Sequence, residues 1–503
     1  MKHLSGLIRE LERKNTEFGG RESPRVCLSL PKNILIEHFG SDMTLIQSVS
    51  GIRGTIGGAS GNNLTPADAV RFASSYGHWL QKRHPQPKIS VVIGRDARPS
   101  GPMISSLVAQ TLVGMGIHVI DLGLSTTPTV EMAVPYYSAQ GGIILTASHN
   151  PVEWNALKLL NEKGEFLSAE DGQALLSINP SDIIYASVQA MGSIECPGNF
   201  IDKHIEAILK HPLVDVAAIR KARFRVSVNG VHSSGGIAIP QLLEQLGVMY
   251  IHNPYGEPTG KFPHNPEPLP EHLTTYCSMV KEESVDVGIV VDPDVDRLAL
   301  VDENGRFFGE ENTLIAVADY VLSRNPGPVV SNLSSSRGLA DIAAKHGCQR
   351  YTSAVGEVHV VAKMKEVGAV LGGEGNGGVI LPDLHYGRDA LAGVALLLSY
   401  MARQQVRLSD LKAMYPEYVM VKSKVEAPAQ LDTAKALADL RAALAQENPV
   451  TVDGLWFERP EGWIHIRRSN TEPIFRIYTE ALSVQTAEAY ANQAHAWLKS
   501  IIS

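Results

Sequence analysis

Thr146-Ala147-Ser148-His149-Asn150-Pro151 follows the apolar run Gly142-Ile143-Ile144-Leu145 and closes on an Asn-Pro turn signal. The run reads as a buried strand, and the six residues after it as the loop at the strand's end. A serine is thus presented among small residues beside a histidine. Alone, this is equally an ordinary serine in a strand-to-helix turn. Three polar loops far away in the chain change the reading: Asp292-Pro293-Asp294-Val295-Asp296-Arg297, Gly373-Glu374-Gly375-Asn376-Gly377-Gly378, and Arg467-Arg468-Ser469-Asn470-Thr471-Glu472-Pro473.

Around these loops, short apolar runs alternate with helical patterns. Ile89–Val92, Ile117–Ile120 and Gly141–Leu145 read as strands, with a helix over Met103–Met115. Arg225–Val228 precedes a helix over Gly235–Gly247, and Val285–Val291 leads into the acidic loop. Pro328–Asn332, Gly338–His346, Ala369–Leu371 and a long helix over Asp389–Arg403 follow. Such alternation predicts βαβ units and mixed, largely parallel sheets. From Pro416 the pattern changes. Val419–Val425, Gly462–Ile466 and Phe475–Tyr478 predict an antiparallel sheet, with helices over Asp432–Gln446 and Thr486–Ser500. The fold class is therefore α/β: three successive α/β domains and a smaller C-terminal α+β domain. The expected boundaries are 43–195 for the serine-loop domain, 196–303 for the acidic-loop domain, 304–414 for the Gly-rich-loop domain and 415–503 for the last.

Residues 1–42 stand apart. A short helix over Leu4–Leu11 is broken by Gly19-Gly20 and Ser23-Pro24, whereas regular patterning begins at Met43 with Thr44-Leu45-Ile46 and the glycine-rich Ser50-Gly51-Ile52-Arg53-Gly54. This segment is a dispensable extension, with Met43 as an alternative start, or a helical extension packed on the first domain. The chain of 503 residues exceeds what one core supports. A net charge of −8 argues against a nucleic-acid partner. No apolar stretch approaches the roughly 18 residues of a membrane span. Met1–Lys14 lacks an apolar signal core. Cys27, Cys196, Cys277 and Cys348 lie far apart, as reduced thiols of a cytoplasmic protein do.

Each loop carries a chemistry. Asp292, Asp294 and Asp296 alternate on one turn, so their carboxylates can converge on one hard cation. Oxygen-only ligands favour Mg²⁺, and Arg297 at the sixth position, where a calcium loop needs glycine, argues against Ca²⁺. The alternative is a solvated acidic turn. Ser148 needs a base or a charge-stabilising metal to act as a nucleophile. His149 points elsewhere in an extended chain and no G-x-S-x-G elbow surrounds it. A phosphate on Ser148 would want the cation that the aspartates hold. Lys158 can shuttle protons if burial and cationic neighbours lower its pKa, or it is a surface lysine. Glu374 and Asn376 suit vicinal sugar hydroxyls. Arg467, Ser469, Asn470, Thr471 and Arg476 form a phosphate cradle, or a salt-bridged hairpin. Arg53 and Arg95 are as readily structural as catalytic.

Together and in this order, the four loops resemble those of the α-D-phosphohexomutase superfamily, from about Met43 to the C-terminus. The resemblance implies four domains around a central cleft, the last one mobile. Ser148 would be the phosphoserine that donates to a hexose monophosphate, giving a hexose or hexosamine 1,6-bisphosphate that turns around and returns its other phosphate. By the same resemblance, Asp292, Asp294 and Asp296 hold Mg²⁺ with the Ser148 phosphate. Arg53, Lys158 and Arg297 stabilise charge or move protons, and His149 supports the loop. Glu374 and Asn376 hold the sugar, and Arg467, Ser469, Asn470, Thr471 and Arg476 grip the unreacting phosphate. Three positions depart from the pattern. Many bacterial members carry Ser at Asn376, phosphomanno/phosphoglucomutases often carry His at Gly378, and those relatives often carry His at Glu357. The Gly-Glu-Gly-Asn-Gly-Gly form, with Ser50–Thr55 and Thr126-Thr127-Pro128-Thr129, is most similar to phosphoglucosamine mutases. The expected partner is a small sugar phosphate, with no nucleic acid or membrane, acting on a monomer or homodimer. The competing classes are a phosphomannomutase/phosphoglucomutase, a non-catalytic sugar-phosphate binder and a metal-dependent phosphatase.

Overall fold

The computed structural model describes residues 43–48, 51–86, 88–198, 200–428, 430–469 and 474–502. The expectations for residues 1–42, and for Ser50, Asn470 and Thr471, lie outside the described residues. Four sheets follow one another along Met43–Ser503, three in α/β domains and the last in a C-terminal domain.

In the first sheet the spatial order is Ile46–Ser48, Gly51–Thr55, Trp154–Leu160, Gly141–Leu145, Ser90–Arg95, His118–Leu124 and Ile194–Glu195. Gly141–Leu145 is buried at every residue and pairs parallel with Ser90–Arg95 but antiparallel with Trp154–Leu160. The sheet is therefore parallel on one side of this strand and antiparallel on the other, a more even mixture than "largely parallel". The second sheet runs Leu298–Asp302, Val287–Val291, Arg225–Asn229, Tyr250–His252, and the third Arg350–Ser353, Val329–Asn332, Leu371–Glu374, Gly378–Ile380. Each has one antiparallel edge on a parallel core. The fourth, Val419–Glu426, Ile474–Ala481, Gly462–Arg468, Leu455–Arg459, is wholly antiparallel, as its alternating pattern implies.

One core joins the second and third sheets: Val287, Ile289 and Leu298 share a cluster with Val329, Leu371 and the helices Glu310–Arg324 and Ala390–Gln404. The acidic loop and the Gly-rich loop thus stand on a continuous apolar base, which fixes their spacing.

Two site-bearing stretches are strands. The glycine-rich Gly51-Ile52-Arg53-Gly54 lies in the strand Gly51–Thr55. Gly51 has φ +130° and a Cβ there would lie 2.3 Å from the Leu157 carbonyl oxygen, so this glycine marks a close strand approach. Lys158 stands on the strand Trp154–Leu160 rather than at the surface, its side chain 12% exposed. Sequence periodicity also passed over the helices Pro66–Arg83 and Thr127–Tyr136. Serines blur the apolar pattern of the first, yet its start is written in Thr65 and Asp68, which form a capping box.

Candidate active site

The Ser148 loop is held from beneath by a buried ion pair. Thr146 Oγ1 donates to Asp96 Oδ2 at 2.7 Å, and the Ser148 amide donates to Thr146 Oγ1 at 2.9 Å. Arg98, wholly buried, pairs with Asp96 at 3.0 Å and donates to the carbonyls of Ser148, Asn150, Pro151 and Trp154. Four carbonyls gathered on one guanidinium define the loop's curvature. Ser148 itself takes φ +50°, a left-handed conformation uncommon outside glycine. That turn corrects the extended-chain reading of His149, whose Nδ1 comes within 3.4 Å of Ser148 Oγ. Burial first, and then Arg297, push the His149 imidazole well below its usual pKa, so it is held neutral.

Ser148 Oγ donates to Asp292 Oδ2 at 2.6 Å. Asp292, Asp294 and Asp296 are each 0% exposed, and one oxygen from each lies within 4.8 Å of the others. The turn closes through Val295 at φ +65° and through the amides of Asp296 and Arg297, which donate to Asp292 Oδ1 at 3.2 and 3.1 Å. Asp294 Oδ2 accepts from Thr127 Oγ1 at 2.6 Å and from Lys158 Nζ at 2.7 Å. Asp296 Oδ2 accepts from Arg388 Nη2 at 2.7 Å and Lys158 Nζ at 3.4 Å. Asp294 Oδ1 and Asp296 Oδ1 are buried with no hydrogen-bond partner. Orphaned carboxylate oxygens beside Asp292, in an all-oxygen donor set, fit a hard divalent cation. Burial, then Asp296 and Asp294, push the Asp292 carboxyl well above the usual carboxylate range. Three carboxylates this close repel unless a cation joins them.

Cations ring this cluster. Arg53 has its pKa lowered by burial and by Arg297, with Asp294 acting against that and Arg388 adding to it. Arg297 Nη1 donates to Glu267 at 3.2 Å while its buried Nε has no partner. The expected lowering of the Lys158 pKa is reversed. Burial opposes its charge, but Asp294 and Asp296 outweigh that and raise the ammonium's pKa above the usual lysine value.

The Gly-rich turn brings Glu374 to the same region, but not free. Its Oε1 accepts from Asn332 at 2.9 Å and the Gly356 amide at 3.1 Å, and its Oε2 from Arg388 at 2.9 Å. Asn376 Oδ1 accepts from the Gly378 amide at 3.2 Å. Arg388 is the residue that sequence reasoning missed most plainly. It reaches Asp296, Glu374 and Glu357, the last at 3.0 Å. A Cβ on Gly378 would lie 2.3 Å from Arg388 Cδ, so the bare backbone at Gly378 and the carboxylate at Glu357 both follow from the guanidinium between them. Arg98 and Thr127 were missed likewise. Arg95, by contrast, turns back to the Asp96 carbonyl and serves the strand end.

Arg467 and Arg476 stand on strands of the C-terminal sheet and Ser469 directly follows the first of these, outside the Ser148–aspartate cluster. Arg467 pairs across with Arg476, and Arg476 with Lys424, setting three cationic residues at one register. Like charges directly opposite destabilise a sheet, so this row suits an anion. The Ser469 amide donates to the Ile474 carbonyl at 2.9 Å, closing the hairpin.

A serine hydroxyl apposed to a buried three-carboxylate cluster that could hold a cation, on three α/β domains followed by a smaller C-terminal domain, is the arrangement of the phosphohexomutases. The comparisons agree. The profiles for phosphoglucomutase/phosphomannomutase alpha/beta/alpha domains I, II and III match residues 45–181, 202–305 and 310–418, and that for the C-terminal domain matches 420–496. The chain belongs to the phosphoglucomutase/phosphomannomutase family, within the α-D-phosphohexomutase superfamily. It is 35% identical to a phosphoglucomutase/phosphomannomutase of Thermococcus kodakarensis, over 87% of this chain and 96% of that one. It is 32% identical to a probable phosphoglucosamine mutase of Methanopyrus kandleri, over 87% and 94%. Among solved structures it matches a phosphoglucomutase/phosphomannomutase family protein of Burkholderia thailandensis with a TM-score of 0.78 at 27% identity, covering 92% of this chain and 97% of that one. Among the described residues no helix is long and apolar enough to cross a membrane, and Cys196, Cys277 and Cys348 are free thiols.

Proposed function

We propose that this phosphohexomutase interconverts glucosamine 6-phosphate and glucosamine 1-phosphate, with Ser148 as the phosphoryl carrier. The observation that carries the reading is the 2.6 Å hydrogen bond from Ser148 Oγ to Asp292 inside the buried aspartate triad. Mg²⁺ held by Asp292, Asp294, Asp296 and the Ser148 phosphate would supply charge neutralisation to the transferring group.

In the first half-reaction the Ser148 Oγ–P bond breaks as a bond forms between phosphorus and the free hydroxyl oxygen of a bound sugar monophosphate. The hydroxyl's proton ends on Ser148 Oγ, giving the free hydroxyl that hydrogen-bonds Asp292. Lys158, held protonated, and Arg53 and Arg297 stabilise the anion in flight. His149, held neutral with Nδ1 at 3.4 Å, takes or returns the proton at Oγ. The hexosamine 1,6-bisphosphate turns around and the second half-reaction repeats the exchange with the other phosphate. Arg467, Ser469, Asn470, Thr471 and Arg476 grip whichever phosphate is idle, and Glu374 and Asn376 orient the ring. The substrate is a small sugar phosphate, and the enzyme works as a cytoplasmic monomer or homodimer.

The glucosamine preference rests on the Gly-Glu-Gly-Asn-Gly-Gly loop and on relatives of that name at about the same identity as the Methanopyrus protein. The Thermococcus relative at 35% identity favours a second reading, a phosphoglucomutase/phosphomannomutase. Turnover measured side by side on glucosamine, glucose and mannose phosphates, with Mg²⁺ and a trace of bisphosphate, decides between them. Faster turnover of the unaminated sugars overturns the glucosamine assignment. Free phosphate as the main product favours a phosphatase, and tight binding without turnover favours a sugar-phosphate binder.

A further inference from the structure

A second cluster of ligating groups lies where the first three α/β domains meet, separate from the Asp292 triad. His204 comes from the helix Ile201–Lys210, His385 from the segment after Gly378–Ile380, and Asp389 caps the helix Ala390–Gln404. Asp389 spends Oδ1 on the amides of Leu391 and Ala392, at 2.9 and 3.1 Å. Its Oδ2 is left facing two imidazoles, His204 Nε2 at 2.9 Å and His385 Nε2 at 3.3 Å. One ligating atom from each of the three lies within 4.8 Å of the others.

The far side of each imidazole is backed by an oxygen. His204 Nδ1 is 3.0 Å from Thr129 Oγ1, and His385 Nδ1 is 3.3 Å from Glu131 Oε2. A proton held on Nδ1 leaves the Nε2 lone pair for a metal, which is how ligating histidines are oriented. Glu131 gives an independent sign. It is 2% exposed, its Oε1 is buried with no hydrogen-bond partner, and its Oε2 faces His385 Nδ1. A Cβ on Gly387 would lie 1.8 Å from Glu131 Oε2, so the carboxylate rests against bare backbone in a place shaped for it. With both imidazoles neutral, Asp389 leaves a buried negative charge that a divalent cation would offset.

We propose that His204, His385 and Asp389 bind a second divalent cation, of the zinc type, with Thr129 and Glu131 fixing the two imidazoles. Two imidazole nitrogens and one carboxylate oxygen suit zinc, whereas the oxygen-only triad suits magnesium. The 3.3 Å between His385 Nε2 and Asp389 Oδ2 matches the ligand–ligand edge of a tetrahedron with bonds of about 2.0 Å. Such an ion would clasp three domains at one point. It would also steady the active site, because Asp389 adjoins Arg388, which reaches Asp296, and Thr129 and Glu131 share a helix with Thr127, which donates to Asp294.

The test uses the full chain, stripped with a chelator, dialysed into excess Mg²⁺ to fill the aspartate triad, and offered Zn²⁺. One zinc per chain should be retained, as counted by elemental analysis, and should remain in Asp294→Asn. Retention should be lost in His204→Ala and in His385→Ala, and Glu131→Gln should weaken it by about 10–100-fold. X-ray absorption on the zinc-loaded wild type should show two imidazole ligands, a readout that does not depend on the variants folding. Failure of the wild type to retain zinc, undiminished retention in both histidine variants, or a zinc shell without imidazole overturns the proposal.

Discussion

Ser148 Oγ and Asp292 Oδ2, from residues 144 positions apart, meet at 2.6 Å. Neither loop makes the approach alone. Arg98 bends one from beneath and Val295 turns the other, so the contact exists only when the first and second sheets are docked. In the same turn Asp294 Oδ1 and Asp296 Oδ1 are buried without a hydrogen-bond partner, and these orphaned oxygens are the basis for expecting a cation here.

Removing the cation should therefore stop turnover while leaving the fold intact. Chelation is expected to lower activity by on the order of 10³-fold or more, with recovery on adding Mg²⁺. Asp294→Asn should mimic the loss without recovery at ordinary Mg²⁺ concentrations. Assays across a Mg²⁺ series would check this; full activity in chelator contradicts it.

Arg388 should matter to stability as well as to catalysis. Arg388→Ala leaves Asp296, Glu357 and Glu374 without their shared cation, and breaking a buried pair costs about 3–5 kcal/mol. Arg388→Lys keeps the charge but cannot fork to three carboxylates, so it should raise KM more than it lowers kcat. Thermal melting and steady-state kinetics measure the two effects, and an unchanged melting temperature in Arg388→Ala would refute this role.

His465 makes the seating of the C-terminal sheet sensitive to acid. It is 1% exposed, lies 2.9 Å from Ser334 Oγ and 2.6 Å from the Asp453 carbonyl, and burial holds its pKa down at about 4. The folded state prefers the neutral ring. Stability is thus whole above the unfolded pKa of about 6.5 and falls as pH drops from there toward 4, by roughly 2–3 kcal/mol in all. Urea unfolding at pH 7 and pH 4.5 should register the drop, and His465→Gln should flatten it.

Gly51 should tolerate no side chain. Gly51→Ala sets a methyl 2.3 Å from the Leu157 carbonyl at a φ of +130°, which displaces the strand carrying Arg53 from the strand carrying Lys158. Activity should fall together with stability, and normal kinetics in the Gly51→Ala enzyme would argue against that placement of Arg53.

The Gly141–Leu145 strand and the acidic turn were legible because each is written in consecutive residues, an apolar run and alternating carboxylates. The helix over Asp389–Arg403 was legible for its length, and appears as Ala390–Gln404, with Asp389 at its N-cap in the structure. Arg98, Thr127 and Arg388 were not legible. Their partners lie 50, 167 and 92 positions away, and although Thr127 sits in a stretch that carries the resemblance, nothing in the local sequence of the three shows the contacts they make. Lys158 and Arg53 were legible as charges but not as strand residues, because alternation with Leu157 and Ile52 is too short to separate strand from loop. Where burial pairs a charge across domains, only tertiary packing reveals its state; the reversal of the expected Lys158 shift is that effect.

The most direct test of the central claim is the mass of the enzyme itself. After incubation with hexosamine or hexose 1,6-bisphosphate, intact-mass analysis with peptide mapping should find one phosphoryl group per chain, on Ser148. It should discharge onto added sugar monophosphate. Ser148→Ala should carry no phosphate and turn over on the order of 10³-fold more slowly or worse. A Ser148→Ala enzyme that retains normal turnover, or a transferable phosphate mapped to another residue, contradicts the account.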